Sequence, residues 1–110
     1  MALNTWHGSE EFEEFLASGS TGFIFKHSTR CSISSEAYKE VEKFLDSAPE
    51  VDTHVVLVVE NRPTSQAVAD KLGVTHASPQ IILVRDGEAT WNASHWDITK
   101  KELESVWAAV

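Results

Sequence analysis

The chain has one cysteine, Cys31, set in the segment Lys26 to Ser34, which reads KHSTRCSIS. A single thiol cannot close a disulfide inside the chain, so any oxidised state needs a sulfur from another molecule. Ser34 stands three positions after Cys31, where the resolving cysteine of a Cys-x-x-Cys motif would stand. Its hydroxyl can donate a hydrogen bond to the sulfur but cannot attack a mixed disulfide. Cys31 and Ser34 are therefore the candidate catalytic residues, with resolution left to a second molecule. Arg30 and Lys26 supply positive charge suited to an anionic ligand, or else are solvated surface cations. His27 is suited either to polarising the thiol or to satisfying a backbone group at a strand end.

The reactivity of that thiol depends on what positions it. Upstream, Phe23-Ile24-Phe25 is a short aromatic and β-branched run suited to a buried strand. Downstream, Ile33, Ala37, Val41, Phe44 and Leu45 recur at helical spacing until Asp46-Ser47-Ala48-Pro49 stops the pattern. Cys31 thus falls between a strand end and the start of a long helix, where the free N–H groups and the positive end of the macrodipole favour thiolate over thiol. A free cysteine is otherwise commonly a small, buried and inert hydrophobe. The helix-start address weighs against that description.

The remaining elements follow from the same patterns. Ser9 ahead of Glu10, Glu11, Phe12, Phe15 and Leu16 predicts a capped, amphipathic helix beginning near Glu10. His54 to Val59, HVVLVV, is too continuously apolar for a half-exposed strand and predicts a central strand covered on both faces. Pro63-Thr64 opens a helix with Val68 and Leu72 on one face and Gly73 at its end. Ile81 to Val84 and Ala89 to Trp91, joined by Asp86-Gly87, read as a hairpin. Thr99 and Glu102 have capping-box spacing ahead of a terminal helix carrying Leu103, Val106, Trp107 and Val110. With a short first strand at Leu3 to Thr5, the sum is an α/β domain over residues 1–110, a central mixed sheet flanked by helices on both faces. Trp91, Trp96 and Trp107 are expected as core or half-buried aromatics.

Composition narrows the function classes. The 110 residues, 42% hydrophobic and 24% charged, suit one ordered core. The formal charge of -8 repels phosphate backbones and anionic lipid, which argues against nucleic acid or membrane as partner. No basic start leads into an apolar run, so a cytoplasmic protein is expected. The five histidines lack paired spacing such as HExxH and have no second cysteine beside them, which argues against a zinc site.

KHSTRCSIS followed by SEAY, the GVTHASPQ loop, and WNASHWDIT after the hairpin together resemble the monothiol bacilliredoxins, small thioredoxin-like proteins of bacteria that use bacillithiol. The resemblance covers nearly the whole chain. It implies a thioredoxin-like fold and a nucleophile at Cys31. It also implies removal of bacillithiol from S-bacillithiolated client proteins, with bacillithiol, a low-molecular-weight thiol, as co-substrate and no tightly bound cofactor. Thioredoxin-like folds carry a cis-proline loop beside the active-site sulfur, here Ser78-Pro79, whose backbone aligns a partner chain as a short extra strand. Ser78 and Pro79, with Thr29, Arg30 and Lys26, are then the candidate substrate contacts. One departure is Ser32, where the family usually has Pro directly after the cysteine; Ser32 loosens that turn and offers its own N–H. Two other functions use similar parts. Monothiol glutaredoxins have Cys-x-x-Ser and hold an iron–sulfur cluster between two chains, but this chain lacks their Gly-Phe between Cys and Ser. A redox sensor without turnover would also need only one thiol.

Overall fold

The computed structural model describes residues 3–110. The elements run β1 (Leu3–Thr5), α1 (Ser9–Ala17), β2 (Gly22–His27), α2 (Ser32–Ser47), β3 (Thr53–Leu57), α3 (Arg62–Leu72), β4 (Gln80–Arg85), β5 (Glu88–Ser94), a 3-10 turn (His95–Asp97) and α4 (Lys100–Ala108). The strands form one five-stranded sheet in the order β1-β3-β2-β4-β5. β1 and β2 run parallel to β3, while β4 is antiparallel to β2 and β5 to β4. This is the expected mixed α/β sheet. Among the described residues, no helix is long and apolar enough to cross a membrane.

Period-two alternation divides the core into two. Phe23, Phe25, Ile81 and Leu83 face α2 and α4, packing with Val41, Phe44, Leu45 and Leu103. Ile24, Ile82 and Val84 face α1 and α3, packing with Phe12, Phe15 and Val68. Every residue of β2 is buried, because that strand lies in the middle of the sheet with helices on both sides. Gly22 begins it where a Cβ would sit 2.6 Å from the Asp52 carbonyl oxygen, so only glycine permits the approach that lets Phe23 N–H bond that carbonyl at 2.9 Å.

Three expectations shift. The third strand ends at Leu57, and β2 rather than β3 is central. Val58 and Val59 turn toward α3, with Asn61 N–H bonded to the Leu57 carbonyl at 2.8 Å. Helix α1 is capped at Gly8 by the Glu11 carboxylate, which accepts from the His7 and Gly8 amides. Ser9 is already helical and turns its hydroxyl to Thr64. Local signals elsewhere hold: Gly73 ends α3 at φ 67, Asp86 and Gly87 take φ 52 and 77 in the hairpin, and the Thr99 hydroxyl accepts from Glu102 N–H at 3.1 Å.

Candidate functional site

β2 is parallel to β3, so their C-terminal ends open on one edge, where α2 and α3 both begin. β2 ends at His27, Ser28 to Arg30 turn, and Cys31 becomes the N-cap of α2 with extended backbone (φ -120, ψ 125). The Cys31 carbonyl accepts the first intrahelical bond from Ser35 N–H at 3.0 Å, leaving the preceding first-turn amides without helical acceptors. Cys31 is partly exposed, and Thr29 and Arg30 are exposed beside it.

Ser34 is fully buried one turn into α2. Its Oγ accepts from the Ser28 N–H at 2.9 Å and shares a hydrogen bond of 2.7 Å with His27 Nδ1. The expected bond to sulfur is therefore replaced by a clamp: one hydroxyl ties the last residue of β2, the start of the turn and the first turn of α2 together. His27 lies against Phe25 and Tyr38, with ring centroids 5.5 and 4.9 Å away. Burial pushes its pKa below the ordinary value despite the opposing pull of Glu60 and the Ser34 bond. The bond made by His27 Nδ1 is therefore to the Ser34 side chain, neither to the thiol nor to a backbone group at the strand end.

The Ser78–Pro79 bond is cis. Pro79 is buried, its carbonyl accepting from His95 N–H at 3.0 Å. Gln80 pairs with Lys26 in the β2–β4 register, so Pro79, one residue further back, sits beside the end of β2 from which the Cys31 turn departs. Gln80 Nε2 donates to the Thr75 carbonyl at 3.0 Å and fixes the loop from within. Ser78 Oγ is buried without a hydrogen-bond partner.

Lys26 does not join Arg30 in one cationic patch. Neighbouring residues of a strand point to opposite faces, so Lys26 is carried to the α1–α3 side, wholly buried, with Nζ 3.1 Å from His76 Nδ1. Burial lowers its pKa to about 8, against a raising influence from Asp70. Trp96 likewise departs from expectation. Trp91 and Trp107 are half-buried at the core margin, but Trp96 is 67% exposed, projected by a 3-10 turn whose first residue, His95, has φ 55. Trp96 lines a cleft with Glu36, Glu40 and His95, and a larger one of about 450 Å³ with Asn92, Asp97 and Glu102. In GVTHASPQ only the proline has a signature readable from sequence, and the bond of His76 to Lys26 has none.

A profile of the family described as monothiol bacilliredoxin BrxC matches residues 4–103. Among solved structures, a thioredoxin-fold protein proposed to be an oxidoreductase superposes with a TM-score of 0.88 at 31% identity, covering 96% of this chain and 94% of that one. Thioredoxin of Fasciola hepatica gives a TM-score of 0.75 at 19% identity, with 96% and 97% covered. Thioredoxin O2 of Arabidopsis thaliana in its oxidised state gives 0.76 at 17%, with 99% and 94% covered. These last two likenesses establish the thioredoxin-like fold. Because the family profile spans nearly all of the described residues, the chain belongs to the monothiol bacilliredoxin family of thiol redox proteins.

Proposed function

We propose that the protein is a monothiol thiol-disulfide oxidoreductase that removes bacillithiol from S-bacillithiolated client proteins in the cytoplasm. The Cys31 thiolate attacks the bacillithiol sulfur of the client's mixed disulfide, a new S–S bond forms to Cys31, and the client leaves as its own thiolate. A second small thiol, as thiolate, then attacks the sulfur that Cys31 holds. Cys31 leaves reduced and the two small thiols depart as a disulfide, so two electrons pass from small thiols to the client. Bacillithiol is thus a co-substrate, and no tightly bound cofactor is needed. The observation that carries this reading is a lone, partly exposed thiol at the N-cap of α2, with a buried, doubly bonded serine where a resolving thiol would stand.

The roles of the neighbours follow from their chemistry. Ser34 positions the turn that presents Cys31, acting through His27 and the Ser28 amide. Ser78, Pro79, Thr29 and Arg30 are the proposed contacts for the incoming disulfide, the loop lying against one side of the turn and the exposed hydroxyl and guanidinium on it. Intact-mass measurement after exposure to oxidised bacillithiol tests the reading. One adduct per chain is expected, removed by excess reduced bacillithiol and absent in Cys31→Ser, with oxidised glutathione reacting more slowly. An adduct forming as fast with glutathione would overturn the bacillithiol assignment and favour a glutaredoxin-like, cluster-carrying role, which visible absorbance after anaerobic reconstitution would reveal.

A further inference from the structure

The buried Lys26 ammonium has no role in the exchange steps above, and its surroundings are unusual. Lysine is almost never wholly buried without a partner of opposite charge. Here Nζ bonds His76 Nδ1 at 3.1 Å, and among the described residues no carboxylate lies within ion-pair distance of it. Asp70, on α3, pulls on Lys26 from further off while its carboxylate accepts from Gln66 Nε2 at 2.9 Å. The Ser65 hydroxyl, also buried, lies 3.3 Å from the same Nδ1. An ammonium has hydrogens to give and no lone pair, so Nδ1 must be the acceptor and the ring proton of His76 sits on Nε2. His76 is exposed and, with Val58, Arg62, Ser65 and Gln66, lines a cleft of about 180 Å³. Arg62 begins α3 and forms no ion pair among the described residues. A guanidinium and an imidazole thus line one small cleft, and the imidazole is bonded from the core side by a buried ammonium, in a chain whose formal charge is -8.

We propose that this cleft binds a carboxylate anion, and that its ligand is the malate group that bacillithiol carries besides its thiol; the identity of the ligand rests on the function proposed above. Arg62 takes one carboxylate through its fork of donors, and His76 Nε2–H donates to the ligand while Lys26 supplies the compensating charge from below. The cleft is on the appropriate edge: α3 begins there as α2 does, and His76 lies in the loop leading to Pro79. Each group does what the geometry leaves it free to do. The ligand's anion supplies the counter-charge that the protein itself does not place on Lys26.

The Cys31→Ser protein, which cannot form an adduct, separates binding from chemistry. Titrating it with malate and following the His76 ring signals by NMR should give a saturable shift and a rise in the His76 pKa. Arg62→Ala should weaken that binding at least about tenfold, the worth of one charge-assisted hydrogen bond. Lys26→Met, which fits the same space without charge, should raise the resting His76 pKa and weaken malate binding while the fold persists, and unchanged binding would overturn the part given to Lys26. No shift with malate, or an equal shift in Arg62→Ala, would overturn the cleft as an anion site. In the protein with Cys31 intact, Arg62→Ala should slow adduct formation with oxidised bacillithiol; an unchanged rate would overturn the malate assignment while leaving the exchange function standing. Failure to form any adduct would instead sink that function, and the malate titration would then judge the cleft by itself.

Discussion

Lys26 and His27 are neighbours at the end of the same strand, both buried, both titratable, and they teach opposite lessons. His27 turns toward α2 into an aromatic bed, where Ser34 satisfies its Nδ1 and burial keeps it neutral. Lys26 turns toward α3 and keeps a charge that only a neutral imidazole meets directly. A buried polar group with its hydrogen bonds complete holds structure together. A buried charge without a counter-charge is costly to the fold and answers with a shift toward the neutral form, as the lowered pKa of Lys26 shows. One residue of displacement along a strand decides which.

The difference can be broken or sharpened experimentally. The largest effect is expected from Ser34→Ala, which leaves His27 Nδ1 and the Ser28 N–H unpaired together; loss of about 2–6 kcal/mol in urea unfolding is expected, at roughly 1–3 per orphaned group. A loss below about 0.5 kcal/mol would mean the clamp holds nothing. Lys26 should show itself on the alkaline side. Its folded pKa of about 8 lies below the ordinary lysine value, so between the two the unfolded chain binds more protons and stability rises with pH. That rise, with a ceiling of about 3 kcal/mol, should be missing from Lys26→Met, and identical pH profiles would show that the ammonium is well compensated after all.

His27 answers on the acid side, together with His54 and His76, all held below the ordinary histidine value chiefly by burial. As pH falls below about 6.5 the unfolded chain protonates first, and stability present above that pH is lost, by at most about 1.4 kcal/mol for each pH unit between the unfolded and folded pKa values for the buried His27 and by less for the exposed, solvent-screened His76. Replacing His54, which stacks on Trp6 at 4.7 Å, with Phe should blunt that loss; an undiminished acid transition would assign it to the clamp and the cleft alone. The smallest effect belongs to Trp96→Ala. An indole this exposed contributes within about 0.5 kcal/mol to stability, and a larger loss would mean that it packs more than its exposure suggests.

Where a signal is local, the sequence is easily read. Gly73, Asp86-Gly87 and Thr99 act through a residue's own backbone or a partner three positions away, and each is found doing what its type suggests, although of the capping box only the Thr99 hydroxyl's half forms. Cys31 at a helix start is legible for the same reason, since the apolar spacing from Ala37 to Leu45 fixes the helix behind it. What the spacing hides is which face a residue takes. Lys26 and Arg30 lie close in the chain, yet strand alternation sends one into the core and the turn leaves the other in solvent. The bond of Lys26 to His76 spans fifty positions, and no local pattern announces it. Trp96 misleads in another way, because aromatic character speaks for burial and the positive φ of His95 that expels it has no signature in HWD.

The clamp at Ser34 also bears on how this chemistry is able to change over evolutionary time. Passing from one thiol to two looks like a single substitution, Ser34→Cys, which would put a second sulfur at the Cys-x-x-Cys spacing. A thiol is a weak donor and a weak acceptor, and it would inherit the Ser28 amide and the His27 ring as dependants. Such a variant gains a sulfur and loosens the junction that presents Cys31, so the second thiol arrives together with a less ordered first one. A dithiol form therefore needs a new acceptor for the Ser28 amide and a new partner for the His27 ring, so dependence on an external thiol is tied to the packing as well as to the missing cysteine.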